Sequence, residues 1–310
     1  MGVDWWAWVS FGVFVVVLFG VDLFLFGRGD SDISLRRAAF WSVGWTALGL
    51  VFTGLLFVWQ GSDAAGEYLA GFLIEKSLSI DNLFVFALVF SYFAVPRRLQ
   101  RPVLFWGIVG ALVLRGVFIL AGAALIDAFH ATIYAFGAFL IATGLRMATH
   151  RGVEIHPERN PLLRLMRRVL PMTPDYRGDR FTVREHGRRL ATPLFGALVL
   201  VASFDVIFAV DSIPAIFGVT RDTFIVFAAN AFSLLGLSAL YFVLAGMLDR
   251  FRYLNLGLAA ILVLVGAKMV LSDFVHLPIW LSLLAILATL VAAIGASLLR
   301  DSDAVTQRLS

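Results

Sequence analysis

Long apolar segments follow one another through most of this 310-residue chain. A helix needs about 20 consecutive apolar residues to cross the hydrocarbon core of a bilayer, which is about 30 Å thick. Nine segments meet that requirement: 5–26, 38–59, 67–93, 103–126, 130–148, 192–217, 222–248, 254–272 and 277–299. The sequence therefore predicts an all-α fold, a polytopic membrane helix bundle of about nine transmembrane helices in a single membrane domain, 1–310.

Composition agrees with lipid as the surrounding solvent. Hydrophobic residues make up 60% of the chain and charged residues 15%, against about 45–50% and about 25% in soluble domains. The chain has no cysteine, which excludes disulfides and thiolate metal sites. It also lacks a Walker A loop, a nucleophile elbow and an H-E-x-x-H motif. We therefore expect no enzyme activity and no tightly bound cofactor.

The basic residues are distributed very unevenly between the two sides of the predicted bundle. One side receives the loops 27–37, 94–102, 149–191 and 249–253 with most of the arginines, whereas the other side carries Arg221 alone. Cytoplasmic loops carry an excess of Lys and Arg. This pattern predicts an external N-terminus and a cytoplasmic C-terminus, and it accounts for the basic loop without a nucleic-acid partner. Within that loop, Pro161–Leu170 is predicted to be a short amphipathic helix on the membrane surface.

Two stretches of the chain resemble each other. Both place an acid six residues before an Asp that is followed by a small polar residue: Glu75, Asp81 and Asn82 in the first, Asp205, Asp211 and Ser212 in the second. Similarity extends weakly over three predicted helices in each case, so repeat one covers 67–148 and repeat two covers 192–272. They are flanked by two leading helices within 1–60, the cytoplasmic basic loop 149–191 and a last helix at 277–299.

An odd number of spans in each unit gives the two copies opposite orientations. Inverted three-helix repeats are typical of secondary transporters, whose binding site lies near the bilayer midplane at the repeat interface. The alternative is chance similarity between helices that are all rich in Leu, Val, Phe and Ala.

Ionisable and amide side chains within the predicted spans are the candidates for function. Each charge costs about 2.5–3.5 kcal/mol at the centre of a transmembrane helix, so such residues are rarely without a role. The set comprises Asp22, Glu75, Lys76, Asp81, Asn82, Arg115, Asp205, Asp211, Asn230 and Lys268. A purely structural role, in which these charges only pair to hold helices together, is the alternative. We expect Arg115 and Lys268 to pair with acids, which would leave a net acidic core that attracts cations.

Oxygen atoms dominate the candidate ligands, and no histidine lies in the middle of a predicted span. Pro214 lacks an N–H, so the carbonyl of Val210 loses its helical partner beside Asp211. Hard divalent cations such as Mg²⁺, Ca²⁺ and Mn²⁺ prefer such oxygens. The predicted metal ligands are Glu75, Asp81, Asn82, Asp205, Asp211 and Ser212, supported by Asp22, Ser79, Arg115, Val210, Pro214, Asn230 and Lys268.

These motifs resemble those of the TerC family of integral membrane proteins, in particular its Alx-like branch. The resemblance rests on I-E-K-S-L-S-I-D-N-L-F-V-F at 74–86, E-H-G-R-R-L-A-T-P-L-F at 185–195, F-A-V-D-S-I-P-A-I-F at 208–217 and L-Y-F-V-L-A-G-M-L-D-R-F at 240–251. It implies a multi-pass protein of the bacterial inner membrane, linked to manganese homeostasis as an exporter and to tellurite resistance. It also implies functional roles for Glu75, Asp81, Asp205 and Asp211, with Asn82 alongside.

The chain departs from the family pattern at two positions. The family usually has Glu where this chain has Ala202, and often Arg where this chain has Ser238. Joint loss of an acid and a base is what removal of an ion pair would look like. The resemblance therefore implies a structural or modulatory role for that pair.

The leading hypothesis from the sequence is efflux of a divalent cation, with Mn²⁺ as the transported ion, by a secondary transporter that could exchange it for protons. The alternative is a non-transporting membrane assembly or partner protein that acts through the cytoplasmic loop. A site that only senses metal or pH is a third reading. The expected partners are a divalent metal ion and the lipid bilayer, and the sequence leaves membrane-protein partners or a homo-oligomer open.

Overall fold

A computed structural model describes residues 4–27, 34–149, 161–185, 188–244, 254–274 and 278–309. Within these ranges the chain forms eleven helices and one two-stranded sheet. The elements are α1 Trp5–Gly27, α2 Leu35–Gln60, α3 Ser62–Tyr92, α4 Arg97–Ala128, α5 Ala131–Thr149, α6 Pro161–Val169, β1 Thr182–Glu185, β2 Arg188–Ala191, α7 Pro193–Phe217, α8 Thr223–Leu234, α9 Leu237–Leu244, α10 Leu254–Val270 and α11 Ile279–Leu309.

The helices confirm a multi-pass membrane bundle. By length and composition, seven described segments can cross a membrane: Trp5–Asp22, Leu35–Gln60, Arg97–Ala128, Ala131–Thr149, Pro193–Phe217, Thr223–Val243 and Ile279–Ser297. The apolar part of α10 is shorter, Leu256–Val270, and α3 is less apolar because charged residues occur along its length. Both helices coincide with predicted spans, but the exact count of nine is not confirmed.

The predicted span 222–248 is not one continuous helix. Asp222 caps the start of α8, where its carboxylate accepts from the backbone N–H groups of Phe224 and Ile225 at 2.8 and 3.3 Å. The helix ends at Leu234, and Gly236 adopts φ +72° before α9 begins. A Cβ at Gly236 would lie 2.7 Å from the Trp45 side chain, so both the conformation and the space favour glycine. Residues 245–248 lie outside the described ranges.

The helices α5 and α10 cross in close contact. A Cβ added to Gly137 would lie 2.8 Å from the carbonyl oxygen of Gly266, and a Cβ on Gly266 would lie 2.6 Å from that of Gly137. A Cβ added to Gly144 would lie 2.7 Å from the carbonyl oxygen of Ala259. Small residues let membrane helices approach to backbone contact. The two backbones therefore meet directly along this crossing.

α3 lies at the centre of the bundle and packs against α2, α7, α8 and α11. α4 packs against α7 and α8. The repeat hypothesis pairs α3 with α7 and α5 with α10, and both pairs are in contact. Contact alone does not establish internal symmetry, so the inverted repeat stays a prediction.

The loop between α5 and α7 is partly structured. α6 occupies the predicted amphipathic segment, but Leu163 and Met166 are buried, and α6 packs against α7. The interpretation of the whole apolar face as membrane-bound is therefore wrong for these two residues, because the bundle covers them. Leu162, Leu165 and Val169 are exposed. The antiparallel β1–β2 hairpin that follows was not predicted.

Candidate functional site

Four polar side chains from four helices meet inside the bundle. Glu75 comes from α3, Arg115 from α4, Asp205 from α7 and Asn230 from α8, and each is at most 3% exposed. We call these four residues the buried polar cluster. The charge of Asp205 interacts with those of Arg115 and Glu75. The cluster thus contains one acid from each of the two acidic motifs, and hydrogen bonds connect Glu75, Arg115 and Asn230.

Arg115 organises one side of the cluster. Its Nη1 group donates to Glu75 Oε2 and, at 2.7 Å, to Asn230 Oδ1. The Nδ2 group of Asn230 in turn donates to the carbonyl of Val226 at 3.1 Å, which fixes the direction of the amide. The expected pairing of Arg115 with an acid is present. Removing either partner of a buried ion pair is costly, so this pair ties α3 to α4.

Several polar atoms of the cluster remain without a hydrogen-bond partner among the described residues. They are Oε1 of Glu75, Oδ2 of Asp205, and Nε and Nη2 of Arg115. Buried polar groups are almost always hydrogen-bonded in native proteins, and each exception needs an explanation. Acceptors and donors left over in the same place are suited to water or to a polar ligand.

Two further polar side chains, one on α3 and one on α7, are also buried without a hydrogen-bond partner among the described residues. Asn82 follows Glu75 by seven residues and Ser212 follows Asp205 by seven, which is about 10 Å along each helix. Both residues are 1% exposed. The two amide atoms of Asn82 and the hydroxyl of Ser212 have no hydrogen-bond partner in the described part of the chain. Each of the two packed helices α3 and α7 therefore carries unpartnered polar atoms at two positions about two helical turns apart.

The remaining predicted ligands divide into three groups. Asp81 and Asp211 lie in α3 and α7, but their side chains are outside the described part of the structure. Ser79 is buried, and its hydroxyl donates to the carbonyl of Glu75 at 2.7 Å. The side chain of Val210 is 43% exposed on the surface of the bundle. α7 continues through Pro214 to Phe217, so the role of the Val210 carbonyl stays a prediction.

Asp22 and Lys76 form a second charged group beside the cluster. Lys76 donates to the carbonyl oxygens of Ser233 and Leu235, each at 3.2 Å. The charge of Asp22, on α1, interacts with that of Lys76. Glu75 and Lys76 are adjacent in the chain, but Glu75 pairs with Arg115 and not with Lys76.

Lys268 lies away from the cluster, on α10, and its charge interacts with Glu67 near the start of α3. Glu67 also accepts a hydrogen bond from the hydroxyl of Thr220, which itself accepts from the backbone N–H of Asp222 at 3.1 Å. Sequence reasoning missed Glu67 because it is the first residue of the predicted span 67–93. Helical spacing was the available signal, because Glu67, Gly71 and Glu75 are four residues apart and therefore lie on one face of the helix.

Among the side chains that the structure describes, no group of three or more His, Cys, Asp and Glu residues could hold a metal ion. Glu75 and Asp205 supply two carboxylates, with Asn82 and Ser212 as neutral donors further along. A complete set of carboxylate ligands would therefore need Asp81, Asp211 or both.

Comparison with known proteins gives a consistent assignment. The sequence profile of the integral membrane protein TerC family matches residues 60–304. An uncharacterised membrane protein of Myxococcus xanthus is 46% identical over 299 residues, 96% of this chain and 94% of that protein. Alx proteins, described as proposed membrane-bound redox modulators, are similar too. The one from Salmonella typhi is 47% identical over 286 residues, 89% of this chain and 88% of its own length.

The Alx protein of Escherichia coli K12 is 46% identical over 294 residues, 92% of this chain and 91% of that protein. No solved structure matches the chain. A profile match over most of the chain, together with relatives of this identity along nearly their whole length, shows the family. The chain belongs to the integral membrane protein TerC family.

Proposed function

We propose that this protein is a secondary transporter that exports a divalent cation, Mn²⁺, across the bacterial inner membrane, with its N-terminus outside and its C-terminus in the cytoplasm. The observation that carries the proposal is a set of buried polar atoms on α3 and α7, two helices in contact, that have no hydrogen-bond partner among the described residues: Glu75 Oε1, Asp205 Oδ2, both amide atoms of Asn82 and the Ser212 hydroxyl. A protein that only needed to hold these helices together would gain stability from apolar residues there.

Charge supports a cation as the ligand. Glu75 and Asp205 in their ionised forms exceed the single positive charge of Arg115, and Asp81 and Asp211 would add two further negative charges. A divalent cation would offset this excess, and its departure would favour uptake of protons by the same carboxylates. Exchange of Mn²⁺ for protons follows from this competition.

Arg115 has a defined part in such a cycle. Its guanidinium group binds Glu75, so it stabilises the ionised form of this carboxylate. A cation that takes Glu75 as a ligand must displace Arg115 or share the carboxylate with it. The free oxygen Oε1 of Glu75 is the atom through which sharing would occur.

The redox description given to the Alx relatives can be related to this proposal. Thiol–disulfide chemistry is excluded for this chain, which has no cysteine. Export of a redox-active metal is a route by which a cysteine-free membrane protein could influence the redox state of a cell. We therefore place any such effect downstream of metal transport.

The decisive test is Mn²⁺ flux into sealed proteoliposomes that contain the purified protein. We expect Asp205→Asn, Asp81→Asn and Asp211→Asn each to reduce flux at least tenfold. Asp63→Asn is the matched control, because it removes the same charge from an exposed position on α3, and it should transport normally. Full flux in all three site variants would overturn the proposal. Parallel assays with Mg²⁺ and Ca²⁺ define the cation.

One observation favours a second candidate, a non-transporting partner protein that acts through the basic loop. The exposed apolar side chains of α6, Leu162, Leu165 and Val169, could bind another membrane protein. Flux measurements on the purified native protein separate the alternatives. Under the transport hypothesis flux persists in proteoliposomes without any partner, whereas a partner protein gives no flux even with an intact loop.

A further inference from the structure

The break between α8 and α9 leaves backbone carbonyl groups inside the bundle. The last four carbonyls of a helix lack helical partners, and they carry the negative end of the helix dipole. Gly236 turns the chain at φ +72°, so α9 does not continue the hydrogen-bond pattern of α8. The carbonyl oxygens of Ser233 and Leu235 therefore need other donors.

Lys76 supplies those donors. Its Nζ group lies 3.2 Å from the oxygen of Ser233 and 3.2 Å from that of Leu235. An ammonium group has three N–H donors, so one remains after these two bonds. Residues 75 and 76 are neighbours on α3, yet their side chains serve different places: Glu75 binds Arg115, and Lys76 reaches the helix break.

A buried carboxylate adds negative charge near this ammonium group. Asp22 is 7% exposed, and its charge interacts with that of Lys76. Its Oδ1 atom has no hydrogen-bond partner among the described residues. Nζ thus bonds to two carbonyl oxygens, and the negative charge of Asp22 acts on it from beyond ion-pair distance. In unwound membrane helices, freed carbonyls and the C-terminal ends of half-helices coordinate monovalent cations and protons.

We propose that the α8–α9 break is a second cation-binding site, suited to a monovalent cation, and that the ammonium group of Lys76 is its built-in occupant. The carbonyl oxygens of Ser233 and Leu235 form the site, and the nearby negative charge of Asp22 favours a cation there. Because the cation is covalently attached, the native protein needs no dissolved ion at this position. This inference is independent of which ion the buried polar cluster binds.

Shortening Lys76 tests the proposal, because it empties the site and leaves its oxygen atoms in place. The thermal midpoint of the full-length Lys76→Ala protein in lipid nanodiscs is measured with increasing NaCl, KCl or NH₄Cl, against N-methylglucamine chloride at equal ionic strength. We expect Lys76→Ala to be less stable than the native protein in N-methylglucamine. At least one of the small cations should raise its midpoint by several degrees, with saturation.

Three controls make the result specific. Lys76→Met fills the same volume without charge and should show no saturable cation effect. The native protein should show none either, because its site is already filled. Lys76→Ala combined with Asp22→Asn should lose the effect, because the carboxylate is gone. A cation response of Lys76→Ala no larger than that of Lys76→Met would overturn the proposal.

A second variant decides the question if Lys76→Ala does not fold. Lys76→Gln keeps a hydrogen-bond donor of similar reach but removes the positive charge. We expect Lys76→Gln to have a lower thermal midpoint than the native protein, because the carboxylate of Asp22 loses its counter-ion. Native stability in Lys76→Gln would show that the helix break does not require a cation.

Discussion

The α5–α10 crossing and the buried polar cluster use opposite means to join helices. At the crossing, Gly137 and Gly266 bring two backbones into direct contact. In the cluster, long polar side chains reach between helices, and several of their atoms remain unpartnered among the described residues. Close backbone packing resists displacement, whereas a partly satisfied polar group can change partners. The comparison identifies α5–α10 as scaffold and the cluster as the part able to rearrange.

The largest expected effect comes from breaking the one ion pair of the cluster. Arg115→Gln leaves Glu75 buried without its charged partner, and we expect it to lower the free energy of unfolding by about 3–5 kcal/mol. SDS titration of the purified protein in mixed micelles measures this loss. Adding Glu75→Gln should restore part of the stability, since the uncompensated charge is removed. A double variant less stable than Arg115→Gln would contradict the assignment of the pair.

Asn230 should be the next most sensitive position. Asn230→Leu removes a hydrogen bond to a charged group, and such bonds contribute about 1.5–3 kcal/mol. We expect a decrease of that size in the free energy of unfolding. The same SDS titration measures it. An unchanged value would mean that the 2.7 Å contact with Arg115 contributes nothing to stability.

The crossing itself is tested by adding a methyl group. Gly266→Ala places a Cβ 2.6 Å from the carbonyl oxygen of Gly137, and overpacking of this kind costs about 1–3 kcal/mol. Gly110→Ala is the matched control, because nothing lies within 4 Å of its added Cβ. It should be neutral or slightly stabilising through helix propensity. Thermal midpoints that rank the two variants in the opposite order would refute the scaffold role.

The smallest loss of stability is expected at Asn82, where a substitution should instead reduce transport. Its amide atoms have no partner among the described residues, so Asn82→Leu should keep or raise the free energy of unfolding, in contrast to Asn230→Leu. We expect Mn²⁺ flux to fall nevertheless, because a neutral ligand is lost. SDS titration and proteoliposome flux on the same sample check both parts. A destabilised Asn82→Leu protein with normal flux would show that the amide is structural.

Local apolar runs predicted most of the fold. The bounds of α1, α2, α5 and α7 lie within three residues of the predicted spans, because hydrophobicity alone determines what a bilayer accommodates. The helix break at Gly236 was not predictable in this way. Glycine is common in membrane helices, and only the position of Trp45 in space shows that residue 236 has no room for a side chain. The β1–β2 hairpin was missed because four-residue strands in a polar loop show no periodic pattern.

The candidate site was predictable in its residue types but not in its pairing. Buried charges are rare in apolar helices, so Glu75, Arg115 and Asp205 were evident from the sequence. Their partners depend on how α3, α4 and α8 are rotated about their axes, which a single sequence does not determine. Lys76 illustrates this point, because its acceptors are carbonyl groups that a helical pattern hides. Glu67 was missed because span boundaries are uncertain by a few residues.

The adjacent residues Glu75 and Lys76 have a mechanical consequence for α3. One connects to α8 through Arg115 and Asn230, and the other connects directly to the C-terminal end of α8. Two attachments that leave the helix about 100° apart prevent α3 from rotating about its own axis relative to α8. We therefore expect α3 and α8 to move as one body. A conformational cycle that opens the α3–α7 contact would then have to draw its motion from α7.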